Sequence, residues 1–318
     1  MKTRPSVDDL KHAAKRIEGV AHRTPVLTSS TLDGATGARV FLKAECFQRM
    51  GAFKFRGAYN TLASMDAAER RQGVVTHSSG NHGQAVALAA REFGVPCTVV
   101  VPENAPRVKR DAMAGYGAEV ILCAPTMAAR EAGASGVIER TGAALVHPFD
   151  DGRIIAGQST AAQELLEQVA EPLDRILVPV GGGGLAAGTA LACATLSPST
   201  AVIGCEPAGA DDAARSFAAG RRLPVDNPST VADGLRGQLS DLTFEILHGH
   251  LQDVVTVTEQ EILDAMFFVW QRLKVLIEPS AAVPVAALRC GKIEADGLNV
   301  GIILSGGNVD IGEMMQHA

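Results

Sequence analysis

Short β-branched segments alternate with longer Ala-rich or amphipathic segments along most of the chain. This alternation is typical of βα units arranged around a largely parallel sheet. The pattern predicts nine strands, at residues 40–43, 74–76, 98–101, 119–122, 144–147, 176–180, 202–205, 254–258 and 300–304. It predicts helices at residues 6–18, 81–93, 127–140, 160–169, 185–195 and 259–276.

Nine strands exceed the usual size of a single sheet, and their connections separate a middle group from the rest of the chain. We therefore expect an α/β protein with two domains, each an open, mainly parallel sheet flanked by helices. The predicted large domain comprises residues 1–72 and 151–318, and the predicted small, mobile domain comprises residues 73–150. A chain of 318 residues is long enough for two such cores.

Composition narrows the range of functions. The formal net charge of −6 is spread along the chain without a basic stripe, which argues against a nucleic-acid partner. No apolar run approaches the roughly 20 residues of a membrane-spanning helix, and the first residues lack the apolar core of a secretory signal. We therefore expect a cytoplasmic protein with no membrane partner.

The six cysteines are scattered without a CxxC pair, so we expect reduced, buried thiols rather than disulfides or a thiolate metal site.

Four polar, glycine-rich stretches each fall at the end of a predicted strand. They are HSSGNHGQ (77–84), PVGGGGLAAG (179–188), CEPAGADD (205–212) and LSGGNVD (304–310). In parallel α/β folds, ligands bind at the carboxyl ends of the strands. These stretches are therefore the candidate ligand-binding loops.

The four consecutive glycines at residues 181–184 indicate a backbone site for an anion. Glycine weakens helices and strands, whereas the absence of Cβ atoms lets several N–H groups converge on a phosphate at a helix N-terminus. The loop matches neither GxxxxGK[ST] nor GxGxxG, so a nucleoside triphosphate or a dinucleotide is not the first interpretation. A tight turn that binds nothing is the alternative.

Two further segments carry side-chain chemistry. GAFKFRGA (51–58) places Lys54 between two phenylalanines at the start of a predicted helix. Burial lowers the pKa of a lysine, and a neutral amine attacks an aldehyde to form a Schiff base; a surface lysine is the alternative.

HSSGNHGQ offers hydroxyls, an amide and N–H groups that suit a carboxylate or a phenolic oxygen. A helix cap made by Ser79 or Asn81 is the alternative there.

These stretches, in this order, resemble the fold-type II pyridoxal-phosphate (PLP) enzymes of the serine/threonine dehydratase family. The resemblance is greatest to the branch of serine racemases and short L-serine/L-threonine dehydratases. It extends from RTPVLTSS (23–30) to LSGGNVD and includes LIEPSAA (276–282). It implies a two-domain, tryptophan synthase β-like fold, PLP as the cofactor, a small amino-acid substrate and a homodimer.

The resemblance also implies a role for individual residues. Lys54 would carry PLP as the internal aldimine and act as the base on one face of the cofactor, and Ser79 would donate or accept a proton on the other face. The cofactor would further contact Phe53, Asn81, Gly181, Gly182, Gly183, Gly184, Leu185 and Ser305. The substrate would contact Ser78, Asn81, His82, Arg130 and Gln238. A neutral hydroxyl at Ser305 would not hold the pyridine nitrogen protonated, which favours loss of the β-hydroxyl.

Two additional sites follow from the same resemblance. Glu206, Ala210 and Asp212 match a site for Mg²⁺, Mn²⁺ or Ca²⁺ made of two carboxylates and one backbone carbonyl; a solvated acidic turn is the alternative. A nucleotide site at the dimer interface would correspond to Ser29, Ser30, Thr31, Gln84, Tyr116, Lys274 and Asn308. Because Met50 replaces a polar residue of that site, ATP as an effector is a hypothesis.

The expected activity is dehydration of L-serine or L-threonine to a 2-oxo acid and ammonia. The racemase branch has a small hydroxyl residue shortly after its ADG motif, where ADGLRGQLS (232–240) has Gly237 and Gln238. Arg130 could pair with a second carboxylate, as in 3-hydroxyaspartate, or be an exposed helix residue. The alternatives are therefore an amino-acid racemase with a side dehydratase activity, a 3-hydroxyaspartate dehydratase and an inert PLP-binding or metal-binding regulatory protein.

Overall fold

The computed structural model describes residues 2–105 and 107–317. Its strands are β1 (Val26–Leu27), β2 (Arg39–Ala44), β3 (Val74–His77), β4 (Cys97–Pro102), β5 (Glu119–Cys123), β6 (Ala144–Leu145), β7 (Arg175–Pro179), β8 (Ala201–Pro207), β9 (Asp253–Val257) and β10 (Asn299–Leu304). Its helices are α1 (Val7–Ile17), α2 (Ser30–Thr36), α3 (Lys54–Ser64), α4 (Ala67–Arg71), α5 (Asn81–Phe93), α6 (Arg107–Gly115), α7 (Met127–Thr141), α8 (Gly152–Gln168), α9 (Gly184–Leu196), α10 (Asp212–Ala219), α11 (Asp241–His250), α12 (Glu259–Leu273), α13 (Pro279–Arg289) and α14 (Ile311–Met314).

The contacts divide the chain into two compact units. The lysine unit, which contains Lys54, comprises the residues up to Ala21 together with Lys54–Gly157. The glycine-loop unit, which contains the four consecutive glycines, comprises His22–Phe53 and the residues from Gln158 onward. These bounds differ from the predicted domains because α3 packs against α1 and α5, which brings residues 54–64 together with the middle of the chain. That residues 73–150 form a mobile domain stays a prediction.

The glycine-loop unit is built on a six-stranded sheet with the order β1-β2-β10-β7-β8-β9. Only the short β1 runs antiparallel to its neighbour, β2; the other pairings are parallel. Helix α13 contacts β7 to β10, and α9 contacts β7 and β8. Aliphatic side chains from these strands and from α12 and α13 form the core of this unit. A parallel sheet aligns the carboxyl ends of its strands, so the loops that follow β7, β8 and β10 lie along one edge.

The lysine unit contains a four-stranded parallel sheet with the order β5-β4-β3-β6. Its central strands β3 and β4 are buried throughout, and the edge strand β5 is half-exposed. Helices α5 and α7 cover these strands, with Val75, Val100, Ala134 and Val137 at the core of the α7 side. The loops after β3 and β6 therefore lie at the same edge of this second sheet.

The hydrophobic pattern predicts the strands well and the helices less completely. All nine predicted strands are present, and α5 has the predicted bounds. The two-residue β1 was missed, and β6 ends at Leu145 instead of residue 147. Helix α8 begins at Gly152, before the predicted residue 160. Gly157 lies inside this helix, where a Cβ would be 2.5 Å from the Cα of Gly57, so the glycine permits close packing against α3.

The exposure of the cysteines tests the expectation of buried thiols, and the helix lengths bear on the search for a membrane span. All six cysteines are free thiols; Cys97, Cys193 and Cys205 are buried, whereas Cys290 is exposed. The expectation of buried thiols is therefore wrong for Cys290, which follows the last turn of α13. Among the helices of residues 2–105 and 107–317, none combines the length and the apolar character needed to cross a membrane.

Candidate active site

Lys54 is the first residue of α3, and its amine is held by a backbone carbonyl. The Nζ of Lys54 donates a hydrogen bond of 3.0 Å to the carbonyl oxygen of Pro148. Pro148 lies after β6, in a segment that also contains His147 and Phe149. The next residue of the helix, Phe55, is fully buried, so the lysine projects from a fixed helix start.

The loop after β3 brings Ser78, Ser79, Asn81 and His82 to the start of α5. The Oγ of Ser78 accepts a hydrogen bond from the Gly80 N–H at 3.2 Å. Gly80, which has no side chain, is the N-cap of α5. Neither Ser79 nor Asn81, the alternative candidates for a helix cap, occupies the N-cap position. The positive end of the α5 dipole is left available to an anion.

His82 is 3% exposed and is held as a neutral imidazole. Its Nε2 donates to the carbonyl oxygen of Val146 at 2.9 Å, and its buried Nδ1 has no hydrogen-bond partner among the described residues. Burial, followed by the positive charge of Lys54, lowers the pKa of His82 well below its usual value. A neutral imidazole in this tautomer can accept a hydrogen bond at Nδ1 but cannot donate one to a carboxylate there.

Arg130 lies on α7, close enough to His77, the last residue of β3, to influence its ionisation. Burial lowers the pKa of His77; the negative charge of Glu131 opposes this shift, and the positive charge of Arg130 adds to it. Arg130 is half-buried, and its Nε is buried without a hydrogen-bond partner in the described part of the chain. The guanidinium is therefore not an exposed surface group, and it lies within electrostatic range of the carboxyl end of β3.

The four glycines lie where β7 is followed by α9, and two of them, Gly181 and Gly183, have no room for a side chain. A Cβ on Gly181 would be 2.8 Å from the Cα of Leu235, and one on Gly183 would be 2.8 Å from Leu239 and Thr243. Gly183 also has a φ of 85°, a left-handed conformation that suits glycine. No side chain caps α9, which starts at Gly184. The loop therefore presents backbone N–H groups at a helix N-terminus.

Ser305 directly follows β10, in a tightly packed part of the glycine-loop unit. Its carbonyl oxygen accepts a hydrogen bond of 3.0 Å from the N–H of Phe53, and its side chain is buried. A Cβ on the following Gly306 would be 2.9 Å from both the Ala52 Cβ and the Glu278 Oε1. Phe53, which precedes Lys54 in the chain, is thereby fixed beside Ser305.

Gln238 lies in the glycine-loop unit with its amide group already bonded. Its Nε2 donates to the carbonyl oxygen of Val225 at 2.6 Å. In the preceding ADG turn, the N–H of Gly234 donates to the Oγ of Ser280 at 3.1 Å, and the neighbouring Leu235 packs against Gly181. The amide oxygen of Gln238 is the part of this side chain that remains for a ligand.

The predicted cation ligands Glu206, Ala210 and Asp212 are all buried. The carboxylate of Glu206 accepts from the N–H groups of Ala213 and Ala214, and that of Asp212 accepts from the N–H of Leu239. Burial raises the pKa of Glu206 well above its usual value and also raises that of Asp212, with each effect increased by neighbouring acids. Two buried carboxylates of like charge are a hard-oxygen donor set that a divalent cation would suit. The alternative of a solvated acidic turn is wrong for Glu206 and Asp212, which are buried.

The residues proposed for a nucleotide are divided between the two units. Ser29, Ser30 and Thr31 line a cavity of about 420 Å³ in the glycine-loop unit, together with Arg272. Lys274 is exposed at the end of α12, and the Nδ2 of Asn308 donates to the carbonyl of Met50 at 2.8 Å. Gln84 is buried in α5, and the ring of Tyr116 lies 5.2 Å from the Arg91 guanidinium; both belong to the lysine unit.

Comparison with known proteins places these features in a family. The family model described as "Pyridoxal-phosphate dependent enzyme" matches residues 17–306. The chain belongs to this family of PLP-dependent enzymes. It is 49% identical over 310 residues to a serine racemase of Arabidopsis thaliana, an alignment that covers 96% of this chain and 93% of the relative. It is 45% identical over 310 residues to a β-hydroxyaspartate dehydratase of Paracoccus denitrificans, with 98% of each protein covered.

A solved structure extends the comparison to the fold. The structure of maize serine racemase superimposes on this PLP-dependent enzyme with a TM-score of 0.96 at 43% identity, covering 99% of this chain and 97% of that chain. The predicted α/β fold of fold-type II is thereby confirmed, as is the resemblance to the branch that contains the serine racemases.

The residues of this PLP-dependent enzyme fit the chemical groups of the cofactor. PLP carries a phosphate, and the loop from Gly181 to Gly184 offers N–H groups at a helix N-terminus. A Cβ at Gly181 or Gly183 would collide with Leu235 or Leu239. PLP carries an aldehyde, and Lys54 offers an amine held by a carbonyl. Ser305 offers a buried neutral hydroxyl rather than a carboxylate. The roles of the individual residues remain predictions.

The segment after β6 carries two residues of the site that the sequence pattern did not predict. Pro148 accepts a hydrogen bond from Lys54, and the positive charge of Lys54 contributes to the lowered pKa of His147. The signal was present, since VHPFDD (146–151) is a polar stretch at the carboxyl end of a strand, like the four stretches that were singled out. It contains no glycine, and its first two residues, Val146 and His147, fall within the predicted strand at 144–147.

Proposed function

We propose that this enzyme removes water and ammonia from a small β-hydroxy amino acid, L-serine or L-threonine, and releases a 2-oxo acid. The observation that carries this proposal is the placement of Lys54, whose Nζ is 3.0 Å from the Pro148 oxygen in the unit that also carries Ser79 and His82. A positioned amine serves both to attach an aldehyde and to remove a proton.

The chain's own residues perform the following steps in this proposal. The glycine loop and Leu185 bind the phosphate of PLP, and Asn81 and Ser305 orient its ring. PLP, when bound, delocalises the electron pair left when the proton at Cα of the substrate is removed. Lys54 would remove that proton, and Ser78 and Asn81 would hold the α-carboxylate. The β-hydroxyl would gain a proton, which the protonated Lys54 can supply, and depart as water when its bond to Cβ breaks. Hydrolysis of the unsaturated amine then gives the 2-oxo acid and ammonia.

Release of 2-oxo acid from a panel of β-hydroxy amino acids tests the proposal. The panel contains L-serine, L-threonine and both diastereomers of L-3-hydroxyaspartate, each assayed with purified holoenzyme and with Lys54→Ala. We expect pyruvate from L-serine or 2-oxobutanoate from L-threonine with holoenzyme and neither product with the variant. If no member of the panel yields a 2-oxo acid, the inert PLP-binding alternative is favoured.

3-Hydroxyaspartate is a second candidate substrate, and Arg130 is the observation that favours it. The guanidinium is half-buried, has an Nε without a partner among the described residues and lies within electrostatic range of the end of β3. A guanidinium in such a place suits the second carboxylate of a dicarboxylic substrate. Arg130→Ala should then raise KM for hydroxyaspartate much more than KM for L-serine; an equal change for both substrates would contradict this role.

A divalent cation is part of the proposal as a structural ligand. Glu206, Asp212 and the carbonyl of Ala210 would hold Mg²⁺, Mn²⁺ or Ca²⁺, because burial disfavours the two carboxylates as free anions.

ATP as an effector is supported by the cavity beside Ser29, Ser30 and Thr31. Addition of Mg–ATP should change turnover, and an unchanged rate would contradict the nucleotide proposal.

A homodimer is also proposed. The described part of the glycine-loop unit exposes five large apolar side chains, each between 41% and 57% exposed: Phe47, Leu196, Leu276, Ile311 and Met315. Large exposed apolar side chains often mark an interface between subunits. Light scattering of the purified protein should give about twice the 33.1 kDa mass of the chain, and a monomeric mass would contradict the proposal.

A further inference from the structure

The ring of His147 closes a tight turn in its own backbone. Its Nδ1 accepts hydrogen bonds from the N–H of Asp150 at 2.9 Å and from the N–H of Phe149 at 3.3 Å. Because both partners are donors, Nδ1 carries no proton and the neutral ring has its hydrogen on Nε2. Burial lowers the pKa of His147 to about 4, with a further contribution from His77, so the acceptor persists at neutral pH.

This turn determines where the carbonyl of Pro148 points. The C=O of Pro148 and the N–H of Phe149 belong to one peptide plane, and in a trans peptide they point in opposite directions. Fixing the N–H on the His147 ring therefore fixes the carbonyl on the other side of the plane. That carbonyl is the group 3.0 Å from the Nζ of Lys54.

Both ends of the turn are held in place. On one side, the Val146 carbonyl accepts from the Thr76 hydroxyl at 2.8 Å and from the His82 ring at 2.9 Å. On the other side, the carboxylate of Asp150 pairs with Lys2 at 2.8 Å. With both ends held, the remaining freedom is rotation of the central peptide plane, and the His147 ring restricts this rotation.

We propose that His147 is a positioning residue for Lys54, acting through the peptide plane between Pro148 and Phe149. The inference rests on the proposed function, in which the Lys54 amine bonds to the aldehyde of PLP. The turn holds the amine at one place when it is released, so that it can rejoin the aldehyde after each turnover. His147 itself touches neither the substrate nor the cofactor in this proposal.

The rate of imine formation between PLP and the full-length apoenzyme tests the inference. His147→Leu removes the acceptor, whereas His147→Asn places a side-chain oxygen near the position of Nδ1. Asp66→Ala is the matched control, because Asp66 Oδ1 also accepts from the N–H groups two and three residues ahead, both at 2.8 Å, and lies in the same unit at the start of α4. The readout is the growth of imine absorbance after mixing with PLP, with the folded fraction measured by circular dichroism.

We expect His147→Leu to slow imine formation by about 10- to 100-fold, the range produced when a reacting group is misplaced by about 1 Å. His147→Asn and Asp66→Ala should remain within about threefold of wild type, a change equivalent to less than one hydrogen bond. Because the rate is measured on apoenzyme without substrate, it is independent of turnover.

Several outcomes would overturn the inference. A wild-type rate in His147→Leu would do so, as would an Asn variant as slow as the Leu variant or a control that is equally slow. If His147→Leu does not fold, His147→Gln replaces it, since it keeps a polar side chain but carries the acceptor one methylene farther; a wild-type rate in that variant overturns the inference too. Failure of wild-type apoenzyme to form any imine would instead refute the proposed function.

Discussion

The two units differ in the groups that their candidate site residues offer: ionisable side chains in the lysine unit and backbone N–H groups in the glycine-loop unit. In the lysine unit, the loops at the sheet edge carry titratable side chains, and burial lowers the pKa values of His77, His82 and His147 so that the three rings are neutral. In the glycine-loop unit, the glycines after β7 offer backbone groups, and Leu235 and Leu239 occupy the space of a Cβ added at Gly181 or Gly183. Proton transfer requires side chains that can ionise, whereas a phosphate is bound well by fixed N–H groups. In the proposed function, the first unit therefore supplies the reactive amine and the second supplies the phosphate site.

The units also differ in the way they bury charge. The glycine-loop unit buries Lys43 completely, but its Nζ is 2.6 Å from the Glu164 carboxylate and 2.8 Å from the Thr24 carbonyl. The same unit buries Glu206 and Asp212 against backbone N–H groups, and their pKa values are raised. A paired charge needs no further ligand, whereas two adjacent carboxylates are stabilised by a cation.

The largest effect is expected in the lysine unit, at Lys54. Lys54→Ala should abolish the imine absorbance of bound PLP and reduce 2-oxo acid release by about 10³-fold or more, because the amine is both the attachment point and the base. Phosphate binding by the other unit should persist, so PLP should still bind reversibly. An imine spectrum like that of wild type would contradict the division of roles. Lys11→Ala, an exposed lysine on α1, is the control.

Ser79 should separate two reactions within the same unit. If Ser79 donates or accepts the proton on the face opposite Lys54, Ser79→Ala should lower the rate of D-serine formation from L-serine by about 10²-fold or more. The rate of elimination should stay the same. Chiral chromatography of the products and a 2-oxo acid assay measure the two rates. Equal losses of both activities would contradict a scheme with two bases on opposite faces.

In the glycine-loop unit, Gly181→Ala should weaken PLP binding without changing the chemistry. A Cβ at this position would be 2.8 Å from the Leu235 Cα, and the required shift should cost about 1–3 kcal/mol, or about 5- to 150-fold in the dissociation constant of PLP. Fluorescence titration of apoenzyme measures the constant. Gly249→Ala in α11 is the matched control, since nothing lies within 4 Å of the added Cβ there. Equal affinities of Gly181→Ala and the control would remove the glycine loop from the cofactor site.

The smallest effect concerns the buried carboxylates and depends on pH. The folded-state pKa values of Glu206 and Asp212 are raised, so the folded cation-free protein binds more protons than the unfolded chain above the usual carboxyl pKa values, and its stability falls as the pH rises through that window. A bound divalent cation should offset this loss. The free energies of unfolding from thermal melts with Mg²⁺ and with EDTA should differ by about 1–3 kcal/mol at pH 8 and become equal near pH 5.

Glu206→Gln is the test of that cation prediction. The amide carries no charge, so the variant should lose the pH dependence that comes from Glu206, keep that of Asp212, and respond much less to Mg²⁺. Wild-type melting curves that coincide with and without EDTA at every pH would refute the cation site. Such a result would not change the roles proposed for the two units, because neither Lys54 nor the glycine loop depends on the cation site.

The sequence by itself determined nine of the strands, the fold class and the chemical character of the loops. Strand and helix periods depend on neighbouring residues, so all nine predicted strands and the start of α3 at Lys54 could be inferred from local pattern. The glycines at 181–184 likewise indicated close approach by a backbone before any contact was known. What each loop contains is a local property of the chain.

Tertiary structure alone decided which groups meet and which of them ionise. Lys54 contacts Pro148, a residue 94 positions away, and His82 contacts Val146, 64 positions away. No local pattern shows that the rings of His77, His82 and His147 are neutral or that Gly157 approaches Gly57. These properties arise from burial and from contacts between distant segments, and both exist only after the chain has folded.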